Sequence, residues 1–237
     1  PYKERYAQNT KLRDMVDCLK DADVFLGLSA AGALKPEMIK DMAARPLILA
    51  LANPTPEIMP ELAQAARPDA MIATGRSDYA NQVNNVLCFP FIFRGALDVG
   101  AKQINEDMKR AASRAIAELA RQEANDLVSE AYGNSSLIFG PDYFIPKPFD
   151  PRLMVLVSMA VAKAAMESGM ATRPITDWAA YEQQLNSFVN RTHLIMRPVY
   201  EMAKQQRKKV IYAEGEEQQV LRAVQVLVDE RIAHPVL

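Results

Sequence analysis

Residues 47–57 read LILALANPTPE, six apolar residues running into Asn53 and then into Pro54 and Pro56. A short, uniformly greasy run that stops at a turn signal reads as a buried strand. Working outward, DVFLGLS (23–29) and AMIATG (70–75) have the same character. Between them lie helical patterns. TKLRDMVDCLKDA (10–22) places Leu12, Met15, Val16 and Leu19 on one stripe, and KPEMIKDMAA (35–44) carries Pro36 in its first turn. PELAQAA (60–66) supplies a third, shorter helix. Uniformly apolar strands alternating with helices predict an α/β arrangement, a parallel sheet covered on both faces.

The bulk properties bound the function. The 237 residues allow one large domain or two ordinary ones, and 49% hydrophobic with 24% charged content is that of a globular chain. A net charge of −1 without a Lys/Arg block gives no footprint for nucleic acid or an anionic membrane surface. The longest apolar run, LMVLVSMAVA from Leu153, is too short to span a bilayer and is closed by Lys163. Cys18 and Cys88 are the only cysteines, and neither neighbours a histidine. That argues against a disulfide framework or zinc site and for a reducing cytoplasm. His193 and His234 read as surface residues. The opening at Pro1 and the closing HPVL suggest an internal piece of a longer protein.

Further along, NEDMKRAASRAIAELARQEAND (105–126) predicts a helix capped by Asn105, with Met108, Ala112, Ala115, Ile116 and Leu119 on one face. Residues 131–151 are rich in Gly, Pro and Asn and predict a long loop. Asp150-Pro151 then opens a helix that stops at Gly169. THLIMRPVYEMAKQQRKK from Thr192 predicts a helix interrupted by Pro198. After it, KVIYAEGEEQQVLRAVQVLVDERIAHPVL restarts the strand, helix, strand rhythm, with Glu216 and Glu217 favoured at a helix start. The expected domains are residues 1–192 and 193–237.

Ligands of open parallel sheets bind beyond the carboxyl ends of the strands. Three loops leave such ends: SAAG after Leu28, NPTPE after Ala52, and GRSDYANQVNN after Thr74. Their asparagines, Asn53, Asn81, Asn84 and Asn85, would then face one crevice. An amide can bind a carboxylate or a ribose hydroxyl without adding charge. Asn-Pro is also an ordinary turn opener, and before any resemblance is considered Asn53 reads as that, whereas two adjacent amides at Asn84 and Asn85 are more than one cap requires. Arg76 and Asp78 read as a local pair, and Arg94 as an ion-pair or interface residue. Tyr79, Tyr132 and Tyr143 read as packing residues and Cys88 as core. No G-x-G-x-x-G and no carboxylate cluster suited to a metal is present.

LILALANPTPEI, RPDAMIATGRSDYANQVNNVLCFPFIFRGALDVGA and FGPDYFIPKPFDPRL closely resemble bacterial malic enzymes of the large hybrid kind. The last 30 residues, from Lys208, resemble the start of the phosphate acetyltransferase-like domain fused to them. The resemblance covers essentially the whole chain. It implies an α/β fold: the C-terminal part of a Rossmann-type parallel sheet, a helical extension, and the start of a second α/β domain. It further implies metal-dependent oxidative decarboxylation of malate to pyruvate and carbon dioxide with reduction of NADP, or alternatively NAD. The acid and base, the carboxylates for Mg or Mn and the glycine fingerprint would all lie outside this chain. Within it, Asn53 and Asn85 carry over as cofactor- and substrate-contacting amides, Asn84 as their neighbour on the cofactor side, and Ser29 and Ala30 as residues beside the dinucleotide. Ala80 stands where the family pattern has proline. The parent is expected to be a cytoplasmic homo-oligomer with acetyl-CoA as a regulator. The competing readings are a connector to that regulatory domain and an unrelated α/β dehydrogenase with a similar asparagine loop.

Overall fold

The computed structural model describes residues 4, 7–122, 137–229 and 232–237. Tyr132, the start of the 131–151 loop and the side chain of His193 lie outside the described residues. The chain divides into two compact units, Pro1–Thr176 and Asp177–Leu237.

The first unit opens with α1 (Met15–Leu19), capped by the Asp14 carboxylate, and continues into β1 (Val24–Gly27), β2 (Leu47–Ala50), α2 (Pro60–Ala66) and β3 (Met71–Thr74). The three strands form a parallel sheet in the order β1-β2-β3. One face buries Ile48 and Ala50 within a core that includes Leu19, Leu34, Ile39, Ile58 and Ala63. On the other face, cover on both sides was expected, yet Val24 and Leu26 of β1 are more than half exposed, at 52% and 58%. Among the described residues the second layer over that strand is missing.

Residues 35–44, expected as a helix, form consecutive turns instead. The carbonyls at the end of this segment are bonded from outside it. Arg67, just past the end of α2, donates from Nη1 to the carbonyls of Ile39, Lys40 and Met42 at 3.1, 3.2 and 2.9 Å. Its Nη2 donates to the Ala43 carbonyl at 2.7 Å. The Ala43 amide, for its part, donates to Ala22 rather than back along its own segment. Asp69 fixes the guanidinium in place through a two-pronged ion pair, which holds its carboxyl well below the ordinary carboxylate range.

After the sheet come α3 (Phe89–Asp98), α4 (Glu106–Arg121) and α5 (Arg152–Glu167), with both α3 and α4 packed on α5. As expected, Asn105 caps α4, its side chain accepting the Met108 amide at 3.0 Å. The expected apolar face is buried at Met108, Ala112, Ala115 and Leu119. Asp150 accepts the Arg152 amide at the start of α5, and Gly169 ends that helix with a φ of 71°, a left-handed value that favours glycine. Arg94 forms the ion pair read from sequence, to Asp98 at 2.7 Å.

In the second unit, α6 (Trp178–Gln205) runs unbroken through Pro198, where an interruption was expected. A proline removes one backbone donor, while the bonds of the neighbouring turns can carry the helix past it. Then β4 (Lys209–Ile211), α7 (Gln218–Asp229) and β5 (His234–Val236) follow, the two strands pairing in parallel. This is the strand, helix, strand rhythm read from sequence, and His234 is exposed as expected.

Candidate functional site

The register of the sheet decides which loops share an edge. Gly27, Ala50 and Thr74 are aligned across β1, β2 and β3. Thr74 is bridged in parallel to Gln82, with the Thr74 amide donating to Asn81 at 3.2 Å and the Val83 amide donating to Thr74 at 2.8 Å. The chain after Thr74 therefore turns back beside β3 and continues the sheet by one position. Ser29, Asn53 and Asn84 lie two residues past Gly27, three past Ala50 and two past Gln82, respectively. All emerge from the carboxyl edge, along a row that strand spacing makes roughly 14 Å long.

The four asparagines of the sequence pattern have different surroundings. Asn81 is buried and its amide is fully engaged: Nδ2 donates to the carbonyls of Ile72 and Pro141 at 3.1 and 2.7 Å, and Oδ1 accepts the Phe144 amide at 3.0 Å. It clamps β3 to the 137–151 loop and has no donor left for a ligand. Asn84, half-buried, accepts the Val86 amide at 3.0 Å and caps the 3₁₀ turn Asn85–Leu87, which leaves its Nδ2 available. Asn85 and Asn53 are exposed, and among the described residues neither side chain makes a hydrogen bond. The Asn53–Pro54 peptide is cis.

Beneath this edge sits a residue that sequence reasoning missed. Glu57, the last residue of the opening stretch, has no exposed surface at all. Its Oε1 accepts the Ser29 amide at 2.7 Å and the Ser29 hydroxyl at 3.3 Å, and its Oε2 accepts the Ala52 amide at 3.0 Å. Burial pushes the carboxyl up, but these amide donors together with the hydroxyl outweigh it and hold the group below the ordinary glutamate range. The signal that points to Glu57 is Gly27. A Cβ there would stand 2.5 Å from the Glu57 carboxyl carbon, so only glycine leaves room for the side chain. Ser29 and Ala30 are themselves exposed, on the loop that Glu57 holds.

Other side chains at the edge are paired locally. Arg76 and Asp78 form the pair read from sequence, at 2.6 Å. The Tyr79 hydroxyl donates to Glu61 at 2.6 Å, which raises the tyrosine and lowers the carboxyl. Lys147 donates to the carbonyl of Ala80 at 2.9 Å, tying the 137–151 loop to the residue that departs from the proline pattern. Cys88 is half-buried at the start of α3 rather than in the core, and burial raises its thiol. Tyr143 is buried, as a packing residue should be. Among the described residues no three His, Cys, Asp or Glu side chains are grouped to hold a metal, and no helix is long and apolar enough to cross a membrane.

Comparison with known proteins sets this edge in context. Residues 2–129 match the family described as malic enzyme, NAD binding domain, and residues 194–237 match phosphate acetyl/butaryl transferase. An NAD-dependent malic enzyme of Rhizobium meliloti is 62% identical over all of this chain, which covers 31% of that protein. An NADP-dependent malic enzyme of Haemophilus influenzae is 58% identical over 99% of the chain, again 31% of its own length. Among solved structures, the malic enzyme of Pyrococcus horikoshii superposes with a TM-score of 0.67 at 35% identity, over 79% of this chain and 40% of that one. The chain thus spans about a third of the length of the curated relatives it matches.

Proposed function

This chain belongs to the malic enzyme family, and from that premise we propose that it supplies the carboxyl edge of a site for malate and a nicotinamide dinucleotide. The whole enzyme would oxidise and decarboxylate malate. In that reaction the hydroxyl-bearing carbon would give up a hydride and its hydroxyl a proton. The bond between the neighbouring methylene carbon and its carboxylate, β to the new carbonyl, would then break, releasing carbon dioxide, and protonation of the resulting enolate would give pyruvate. NADP, when bound, supplies the hydride acceptor. The names of the relatives divide between NAD and NADP, and the ratio of kcat/KM for the two decides the preference.

The observation that supports this reading is the pair of exposed, internally unused amides at Asn53 and Asn85 on one sheet edge. Each offers two N–H donors and a carbonyl acceptor, a set that fits a substrate carboxylate or the carboxamide and ribose of the dinucleotide. They would orient the reacting carbon against the ring, a positioning role. Asn84 would bind on the cofactor side, with Ser29 and Ala30 beside the dinucleotide. Mg or Mn would be held by residues outside this chain. The malic enzyme portion would run to residue 192, and a linker helix with the start of the acetyltransferase-like domain would fill 193–237.

In the full-length enzyme Asn85→Ala is expected to lower kcat/KM roughly 10- to 100-fold, the loss of one hydrogen bond to a charged group, with the melting temperature unchanged. An unaltered kcat/KM removes Asn85 from the site. Asn53→Ala is expected to behave alike, and a fall in melting temperature alone would make it a turn opener. A second reading is favoured by the match at residues 194–237: a connector to an oligomerising domain that senses acetyl-CoA. Inhibition by acetyl-CoA that disappears when the C-terminal half is deleted would support it.

A further inference from the structure

We propose that Glu57 is a positioning residue, whose buried carboxylate presets the Ser29–Ala30 loop against the Asn53 loop before the dinucleotide arrives. The proposal rests on the site reading above and adds a residue to it. The two loops leave adjacent strands, β1 and β2, and Glu57, which closes the second loop, ties the start of both together with a single group. One oxygen takes the Ser29 amide, two residues past β1, and the other takes Ala52, the residue before Asn53. Backbone bonds extend the arrangement: the Gly32 amide donates to Pro56 at 3.2 Å and the Leu34 amide to Glu57 at 3.0 Å. The Leu51 amide donates to Gly27 at 3.1 Å at the strand ends, and between that bond and these two the Ser29 and Ala52 amides are held by the carboxylate.

A structural filler would not need this chemistry. The pocket under the edge could be closed by an apolar side chain, with a β-carbon at position 27 filling what remained. Instead Gly27 leaves space for the carboxylate, which takes one backbone amide from each loop. A loop ordered in advance does not lose that freedom again on binding, which tightens the bound state without touching the ligand. No charged side chain hydrogen-bonds to the Glu57 carboxylate among the described residues; its partners are backbone amides and the Ser29 hydroxyl.

The experiment compares Glu57→Gln and Gly27→Ala with wild type in the full-length enzyme, reading KM for the dinucleotide, KM for malate, kcat and melting temperature. Glutamine keeps the volume, but its amide nitrogen must face an N–H donor at one of the two loops. Alanine at position 27 displaces the carboxylate without altering its charge. Both are expected to raise the dinucleotide KM about tenfold, the weight of one charge-assisted hydrogen bond, while kcat at saturation stays near wild type. Dinucleotide KM values indistinguishable from wild type, with only the melting temperature lowered, would overturn the proposal. A silent Asn85→Ala beside a raised dinucleotide KM in Glu57→Gln would fault the asparagine assignment and leave Glu57 standing. The reverse pattern faults Glu57 alone. Should neither variant fold, hydrogen exchange on wild-type enzyme without dinucleotide decides: slow Ser29 and Ala52 amides support the preset loop, and free exchange at either refutes it.

Discussion

Asn81→Asp separates the structural asparagine from its exposed neighbours. The substitution changes almost no volume and keeps the oxygen that accepts the Phe144 amide. It replaces Nδ2, which donates to the carbonyls of Ile72 and Pro141, with a second oxygen 3.1 and 2.7 Å from them. Two hydrogen bonds become two repulsive contacts, and a charge enters a site that is 2% exposed. Lost hydrogen bonds and an unpaired buried charge together come to about 3–5 kcal/mol. In a cooperative unit of this size that corresponds to roughly 10 °C in melting temperature. Scanning calorimetry of the full-length enzyme reads the shift, with malate and dinucleotide KM measured well below the transition. The pH dependence adds a sign. Burial beside two carbonyls raises the introduced carboxyl above its unfolded value, so the deficit is largest at high pH and shrinks as pH falls through that raised value. A protonated carboxyl can again donate to one carbonyl. An unchanged melting temperature at pH 8, or a raised malate KM without any thermal shift, would refute the assignment of Asn81 as a clamp.

Two further outcomes follow from the same geometry. Arg67→Ala frees four carbonyls between Ile39 and Ala43 and is expected to cost about 2–4 kcal/mol, with the Ala43 and Asp21 amides losing hydrogen-exchange protection first; Arg67→Lys should rescue little, because one ammonium cannot span the fork. Cys88, half-buried with a raised thiol, is expected to resist alkylation at neutral pH until the enzyme is unfolded, while exposed Cys18 reacts readily; peptide mapping by mass spectrometry distinguishes them.

What the sequence reveals depends on how far apart the interacting groups lie. The strands and the α4 cap were legible because each is decided within a few residues: LILALA is apolar throughout, and Asn105 needs only the amide three positions on. The row of strand ends was legible as well, since parallel strands must send their carboxyl-end loops to the same edge. Arg67 and Glu57 were not. Their partners lie 24–28 residues away for the Arg67 carbonyls and 28 for Ser29, and nothing near either residue marks it as more than a surface charge. The 35–44 segment was misread in a similar way, since its carbonyls at 39, 40, 42 and 43 are bonded by a guanidinium 24–28 residues further on. Asn81 and Asn85 share one motif four residues apart, yet one is sealed by the 137–151 loop and the other faces outward. Residue type gave both the same chemistry, and only the return of a loop some 60 residues later separates clamp from candidate ligand. Gly27 is the partial exception. A glycine inside an apolar strand signals close approach of another group, and read alongside the acidic residue that closes NPTPE it points to the buried carboxylate between the two loops.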